Sequence, residues 1–572
     1  MANAAAILKR NAKLRGQRAT YESAWQEIAE YIAPHRANIQ RAFAPGEKKT
    51  DKIFDSTAVR AHPMLSAHLH QTLTPSTQPW LSFSLRDQAL NEDPDIMAWL
   101  EDDARRMHLA FKQSDFNVAV HEMYLDITGP SATGCLLVEE RTLPASGGFG
   151  GFRFRAIPPS EYCLDEDVHG RVDTIYRQFK LSARQILQRW VKTAGQRVED
   201  KDKTDPDAEF EIVHAVYPRT DRVYDDTGKP KQGAKNMPFV SCYVLMSGTN
   251  DDGKGGRGHV LEEGGYEEFP YMVPRWLKAS GEKYGFGPSH LAIPDVRTMN
   301  KAKEFLLEAA PIAMFPPSIE RDDSVFGDLD LTPGGRNTVG GTGPVQDQLA
   351  FLQTGVRVDI AQIVFADLIK SIQETFFVPQ LELQEGPQMT ATEVNVRYEL
   401  MMRYLGAVLE RLTVEFLNPL VERAFGVMAR ARAFLPMPLV LAERFGEADL
   451  DVQYEGPLAR AQRTMELTAQ DRVVGFAGAI SQQTAPFAPD IARRPWEVLD
   501  LDKMMRDRAD ITGLRSDSLR PQTDVDKERT AREDQQQQAQ QTQTMIEGAK
   551  AIGAAAPMVR EMKPGGEKAR AA

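Results

Sequence analysis

MTATEVNVRYELMMRYLGAVLERLTVEFLNPLVERAFGVMARAR occupies residues 389–432 and sets the scale of the molecule. Thr390 is a suitable N-cap and Glu393 follows three residues later. This is a capping box, in which hydroxyl and carboxylate each satisfy an orphan amide. Apolar residues recur at Val394, Tyr398, Met401, Leu405, Val408 and Leu412, in alternating steps of four and three, so one stripe faces one side of a helix. Pro419 falls deep inside the pattern, yet Leu420, Phe425 and Met428 continue it. Proline lacks a backbone donor and clashes with the preceding turn, so a kink rather than a stop is expected. About 40 residues at ~1.5 Å each make a rod of roughly 60 Å. A compact enzyme domain seldom needs such a rod; a large, layered subunit does.

Upstream of the rod lie two more helical patterns. YGFGPSHLAIPDVRTMNKAKEFLLEAA (284–310) carries Val296, Met299 and Leu306 on one side. VDIAQIVFADLIKSIQETFF (358–377) repeats Ile360, Val364, Leu368, Ile372 and Phe376 every four residues, and Val378–Pro379 ends it. Residues 311–355 between them are rich in Pro, Gly and Asp, with only short strand-like pieces. So long an excursion is unusual inside a compact domain and tends to be functional.

The N-terminal half mixes both element types. Leu14, Tyr21, Trp25, Ile28 and Ile32 predict a helix over 14–33, ended by Pro34. Asp55 or Ser56 caps a helix with Leu65, Leu69 and Leu73 on its core side. Its three histidines, His62, His68 and His70, lack the i,i+4 spacing of a metal pair and read as solvated. A short strand anchored by Trp80, Phe83 and Leu85 precedes two helices, at Ile96–Phe111 and Val120–Ile127. After Gly134 the pattern turns to strands: 135–140, 152–159, a strand before Ser182, 211–219, 223–230 and 239–246. Residues 183–191 form a short helix, and 195–208, charged and poorly patterned, read as an exposed loop. Beyond the rod, 433–455 look like strands and 457–515 like helices. From about 520 the chain is polar and Gln-rich, an exposed helix, a coiled tail or disorder.

Bulk numbers narrow the function. The 572 residues are 42% hydrophobic, normal for a globular protein of several domains. A net charge of −12 argues against a general nucleic-acid binder, though not against a surface that DNA must slide past. Cys135, Cys163 and Cys242 offer neither a disulfide framework nor zinc spacing. No apolar run reaches membrane-spanning length, and the N-terminus lacks the charge order of a secretory signal.

No catalytic constellation emerges. Gly248 to Lys254 spells G-x-x-x-x-G-K, but Gly255 follows where a phosphate loop needs Ser or Thr, and the glycines beyond would prevent a helix. It reads as a hairpin tip. His121–Glu122 lacks a second His, and Glu139–Glu140 are adjacent in a strand and point to opposite faces. No catalytic, cofactor or metal residue is nominated.

Three stretches carry a resemblance: 53–80 (IFDSTAVRAHPMLSAHLHQTLTPSTQPW), 284–304 and 389–425. They resemble the head-to-tail connectors, or portal proteins, of short-tailed bacteriophages. The resemblance implies an α+β, mainly helical, ring-forming subunit with wing, stem, clip and crown. It places a wing region at 1–285, stem helices at 286–310 and 356–378 and the clip at 311–355. A channel loop follows at 379–390, a kinked wing helix and strand region at 391–455, the crown at 456–519 and a polar tail at 520–572. It implies a dodecameric homo-oligomer at one capsid vertex of the virion, assembled in the host cytoplasm, with double-stranded DNA passing through. The terminase large subunit, a tail adaptor or tail tube protein, and the capsid and scaffolding proteins are the implied partners. An acidic channel would repel phosphates, with Lys301, Lys303 and Lys370 on the stem helices and Gln380, Gln384 and Gln388 in the loop as candidate DNA-facing residues. Ordinary solvated residues are the plainer reading of each. The alternatives are another virion scaffold or adaptor without a channel, and a nucleotide-binding packaging component using 248–254.

Overall fold

The computed structural model describes residues 3–76, 79–85, 93–142, 148–225, 231, 233–249, 257–321, 330–339, 349–351, 358–381, 405–438, 441, 452–455, 457–487, 494–512, 520 and 525–538. The fold is α+β, in two units: residues 1–84, 101–437 and 452–459, and residues 85–100, 438–451 and 460–572.

The first unit opens with α1 (Ala4–Ile32). This helix starts ten residues before the predicted one. Ala4, Ile7 and Leu14 are buried, and Asn3 caps the helix through the Ala6 amide. Their partners, Val213, Ala215, Cys242 and Val244, lie two hundred residues away, which is why the first turns were not legible. Arg18 is buried and donates to the carbonyls of Pro159, Ser160 and Tyr162, tying α1 to the turn that leads into the next strand.

Next come α2 (Thr57–Leu73), β1 (Ser82–Leu85), α3 (Pro94–Lys112, whose residues before Glu101 fall in the second unit) and α4 (Phe116–Thr128). Leu65, Leu69 and Leu73 are buried as expected. The histidines correct the reading. His62 is buried, its Nε2 2.9 Å from the Leu125 carbonyl oxygen, and burial pushes its pKa down to about 4. His68 lies 3.2 Å from Thr72 Oγ1, and the His70 ring lies beside His121.

Two sheets follow. β2 (Leu136–Thr142) pairs with β3 (Phe149–Ala156) and with β9 (Tyr271–Met272). β4 (Tyr162–Glu166), β5 (Val172–Ser182), β6 (Glu209–Pro218), β7 (Phe239–Thr249) and β8 (Arg257–Tyr266) form an antiparallel meander in chain order. Between β5 and β6 sit α5 (Ala183–Arg189), with a Ser182/Gln185 capping box, and α6 (Gln196–Thr204). The predicted loop at 195–208 is therefore largely helix. Its one anchor is Val198, fully buried with Ala183, Ile186 and Trp190. Residues 223–225 are not part of a strand. Thr249 pairs with Arg257 across the β7–β8 hairpin, so the G-x-x-x-x-G-K stretch is flanked by two antiparallel strands, and 250–256 lie outside the described residues.

The long rod is described from Leu405. An α-helix over 405–412 gives way to a π-helical turn, Thr413–Leu417, and α-helix resumes as Asn418–Arg430. The Asn418 amide reaches back to the Thr413 carbonyl. Pro419 has no amide to offer Glu415, and its ring would crowd that carbonyl in a tight turn. Widening by one residue relieves the crowding and keeps the helix going. Replacing Pro419 with Ala restores the donor and should close the turn and straighten the rod. Incomplete rings in electron micrographs are the expected result; unaltered rings would show that the wide turn is dispensable.

The wide turn is clamped. Glu415 accepts from Arg275 through the backbone amide (3.0 Å), Nε (3.1 Å) and Nη2 (2.8 Å), and from Arg411 (2.9 Å). Arg275 is 1% exposed and also pairs with Glu166, whose carboxylate Lys278 grips from both oxygens. Its remaining protons go to the carbonyls of Gly170 and Lys283. A buried charge survives only when so fully paired.

In the second unit, a helix spans Pro457–Thr484 and another Leu501–Thr512. Trp496 Nε1 donates to Ser481 Oγ at 2.6 Å, and Arg508 pairs with Asp471. Residues 525–538 are an exposed helix. Among the described residues of the predicted strand region at 433–455, β13 (Val452–Glu455), in the first unit, is a strand, and 435–438 are not.

Candidate functional site

Two helices bracket the excursion that the sequence singles out. α7 (Pro288–Met314) begins at the YGFGPS turn. A Cβ on Gly285 would collide with the Ala132 carbonyl oxygen, so only glycine lets the turn lie against 131–133. The Gly285 amide donates to Thr133 Oγ1 (2.9 Å), and Ser289 Oγ donates to the Thr128 carbonyl (2.6 Å). Pro288 takes the first helical position, where no donor is needed. At 27 residues the helix is roughly 40 Å long.

α8 (Val358–Thr375) packs on α7, and Ser371 Oγ donates to Asp295 Oδ2 at 2.6 Å. Asn300 is buried; its Oδ1 accepts from the amides of Phe54 (2.7 Å) and Asp55 (2.9 Å), and its Nδ2 donates to the Val296 carbonyl. The root of the pair is thus welded to the start of α2. Between the helices, β10 (Ser318–Arg321) pairs in parallel with β11 (Arg336–Val339) and antiparallel with β12 (Leu349–Phe351).

Burial changes along the pair. Ala292, Val296, Met299, Ile372 and Phe376 are buried near the root. Farther out, Phe305 (56%), Leu307 (59%), Met314 (73%) and Ile363 (72%) are exposed. Scattered apolar residues on a surface are ordinary, but Leu307 and Met314 continue the α7 stripe buried at the root and Val364 (46%) continues that of α8, while Phe305 and Ile363 lie on the opposite faces.

The sequence-nominated residues separate. Lys301 is exposed, 2.7 Å from Glu304 and over the Phe305 ring. Lys303, three-tenths exposed, is paired with Asp55. Burial would raise the Asp55 carboxyl, but Lys303 and Thr57 hold it below its ordinary value. Lys370 is 73% exposed and 3.8 Å from Glu374. Gln380 lies in a helical turn, Val378–Leu381. Gln384, Gln388, Thr390 and Glu393 lie outside the described residues. The Arg275–Glu415 clamp, 140 residues apart in sequence, had no local signal. Among the described residues no group of His, Cys, Asp and Glu could hold a metal ion, and no helix is long and apolar enough to cross a membrane.

The family model of bacteriophage head to tail connecting proteins matches residues 4–519. The chain belongs to this family. The connector is 30% identical over 567 residues to the probable portal protein of Bordetella phage BPP-1, across 95% of its own length and 93% of the relative's. It is 28% identical to the portal protein of Salmonella phage epsilon15 over the same shares. Among solved structures, it is similar to a chain of the neck of an empty gene transfer agent particle computed with C6 symmetry. The TM-score there is 0.33 at 11% identity, covering 80% of the connector and 98% of that chain.

Proposed function

We propose that this connector is one wedge of a closed ring at a capsid vertex, through which double-stranded DNA is packaged and ejected.

 The observation that carries the reading is the outer half of the α7–α8 pair. Its apolar stripes are buried at the root by the same chain and exposed beyond it, so a second copy is needed to complete them. A heterologous contact repeated around an axis closes into a ring. The names of the two relatives support the same assignment.

In this reading 286–310 and 356–378 are the stem and 311–355 the clip, which meets the terminase large subunit and later the tail adaptor. Residues 379–390 form the channel loop, 391–455 the bent wing helix and its strand region, and 456–519 the crown. The ring is dodecameric and part of the virion, and it interacts with the major capsid and scaffolding proteins. Lys301 and Lys370 are the stem cations free to meet phosphates, because each has only an exposed partner on its own helix. Lys303 serves the root through Asp55. The chain itself supplies no catalysis; the motor is the partner. An in vitro packaging reaction tests this: heads assembled without the chain should take up no DNA, and uptake at the usual level would overturn the reading.

A further inference from the structure

We propose that Asp103 is a proton-operated latch on the segment 433–437, which carries the chain out of the first unit. Asp103 stands three residues after Leu100, where α3 enters the first unit, and Leu435 stands three before Pro438, where the chain leaves it. Asp103 Oδ1 accepts from the Leu435 amide at 3.4 Å. Its Oδ2 is buried with no hydrogen-bond partner, and the residue is 0% exposed. Beside it, Arg106 donates to the Ala433 carbonyl at 3.2 Å, and the Phe434 ring rests on Phe425. These contacts, with the Ala433 amide donating to the Met428 carbonyl at 2.9 Å, hold the segment.

The charges acting on Asp103 are few. Among the described residues Asp102 and Arg106, both on its own helix, are the ionised groups that act on it, and Arg106 is engaged with Asp102 at 2.7 Å. The segment packed over it brings backbone and Phe434 but no cation that acts on the carboxyl; Arg430, just upstream, is committed to Glu268. A carboxylate enclosed without a counter-charge is costly, and one long amide contact does not offset that cost. Burial accordingly pushes the carboxyl up to about 7, with the Asp102 charge adding to the effect. The neutral acid tolerates enclosure. The anion needs water, and the cheapest way to admit it is to lift 433–437.

The sign follows from the raised value. The closed state holds the proton more tightly than the open state. Below the ordinary carboxylate value both are protonated and the latch is at full strength. As pH rises towards 7 the open state ionises first, and opening becomes more frequent by roughly tenfold per pH unit. Above about 7 both states are ionised and the effect levels off.

Hydrogen exchange of the full-length protein from pH 5 to 8.5, read on the peptide covering 431–438 and corrected for intrinsic exchange, tests the latch. Protection should fall as pH rises and level off near 7. Asp103→Asn, which keeps an acceptor but cannot ionise, should show strong protection with no such pH dependence. Asp102→Asn removes a repelling charge and frees Arg106, so its plateau should begin at lower pH. A wild-type profile that is flat, an Asp103→Asn profile that still falls, or an unmoved plateau in Asp102→Asn would each overturn the proposal.

Discussion

Arg275→Met is expected to lower the stability of the first unit by about 3–5 kcal/mol, the usual cost of stripping one partner from a buried ionic cluster. Three features make this the largest single-residue effect in the chain. The guanidinium is enclosed, so solvent cannot replace it. It holds Glu415 in two-pronged fashion while also pairing with Glu166, so its loss leaves two carboxylates short of a partner. It also fixes the π-helical turn to the strand region, so the rod loses its anchor where Pro419 has already weakened the ladder. Lys278 and Arg411 remain and soften the loss. The check is a urea midpoint, read alongside Glu415→Gln and the double substitution. If the clamp acts as described, the double change costs much less than the sum of the singles. Additive effects, or a shift below about 1 kcal/mol, would show that the cluster contributes little.

The reach of the sequence is clear from particular elements. α2 and α7 were legible because each has a stripe at helical spacing, leucines in the one and Val296 and Met299 in the other. α6 was not, because its residues are charged except for Val198, and one anchor makes no period. The first turns of α1 were missed because Ala4 and Ile7 matter only against a sheet folded from residues far downstream. Periodicity placed the proline irregularity at Pro419, but nothing local showed that it takes the form of a π-helical turn or that Arg275 clamps that turn through Glu415. The candidate site has the same limit. Lys301 and Lys303 are two residues apart on one helix, and nothing local says that Asp55, 248 residues away, claims the second.

The second large effect concerns assembly rather than folding. Leu307→Asp combined with Met314→Asp should leave a folded subunit that does not form rings. Both side chains are more than half exposed in the single chain, so the fold loses little, within about 0.5 kcal/mol per site. In the ring each would be covered by a neighbour, where an apolar side chain contributes about 1.5–3 kcal/mol and a carboxylate must be desolvated. The contact repeats around the ring, so the loss accumulates with every interface. Size-exclusion chromatography with light scattering, together with circular dichroism, separates the outcomes. A folded monomer is the expected result. Intact rings would mean that these stripes face solvent or DNA rather than a second copy.

Class averages of the purified full-length chain by electron microscopy bear most directly on the central claim, that one chain is a wedge completed by its neighbours. The account predicts closed rings with a central hole wide enough to pass a B-form duplex. A monodisperse monomer at high protein concentration, or a closed assembly without a hole, would contradict it.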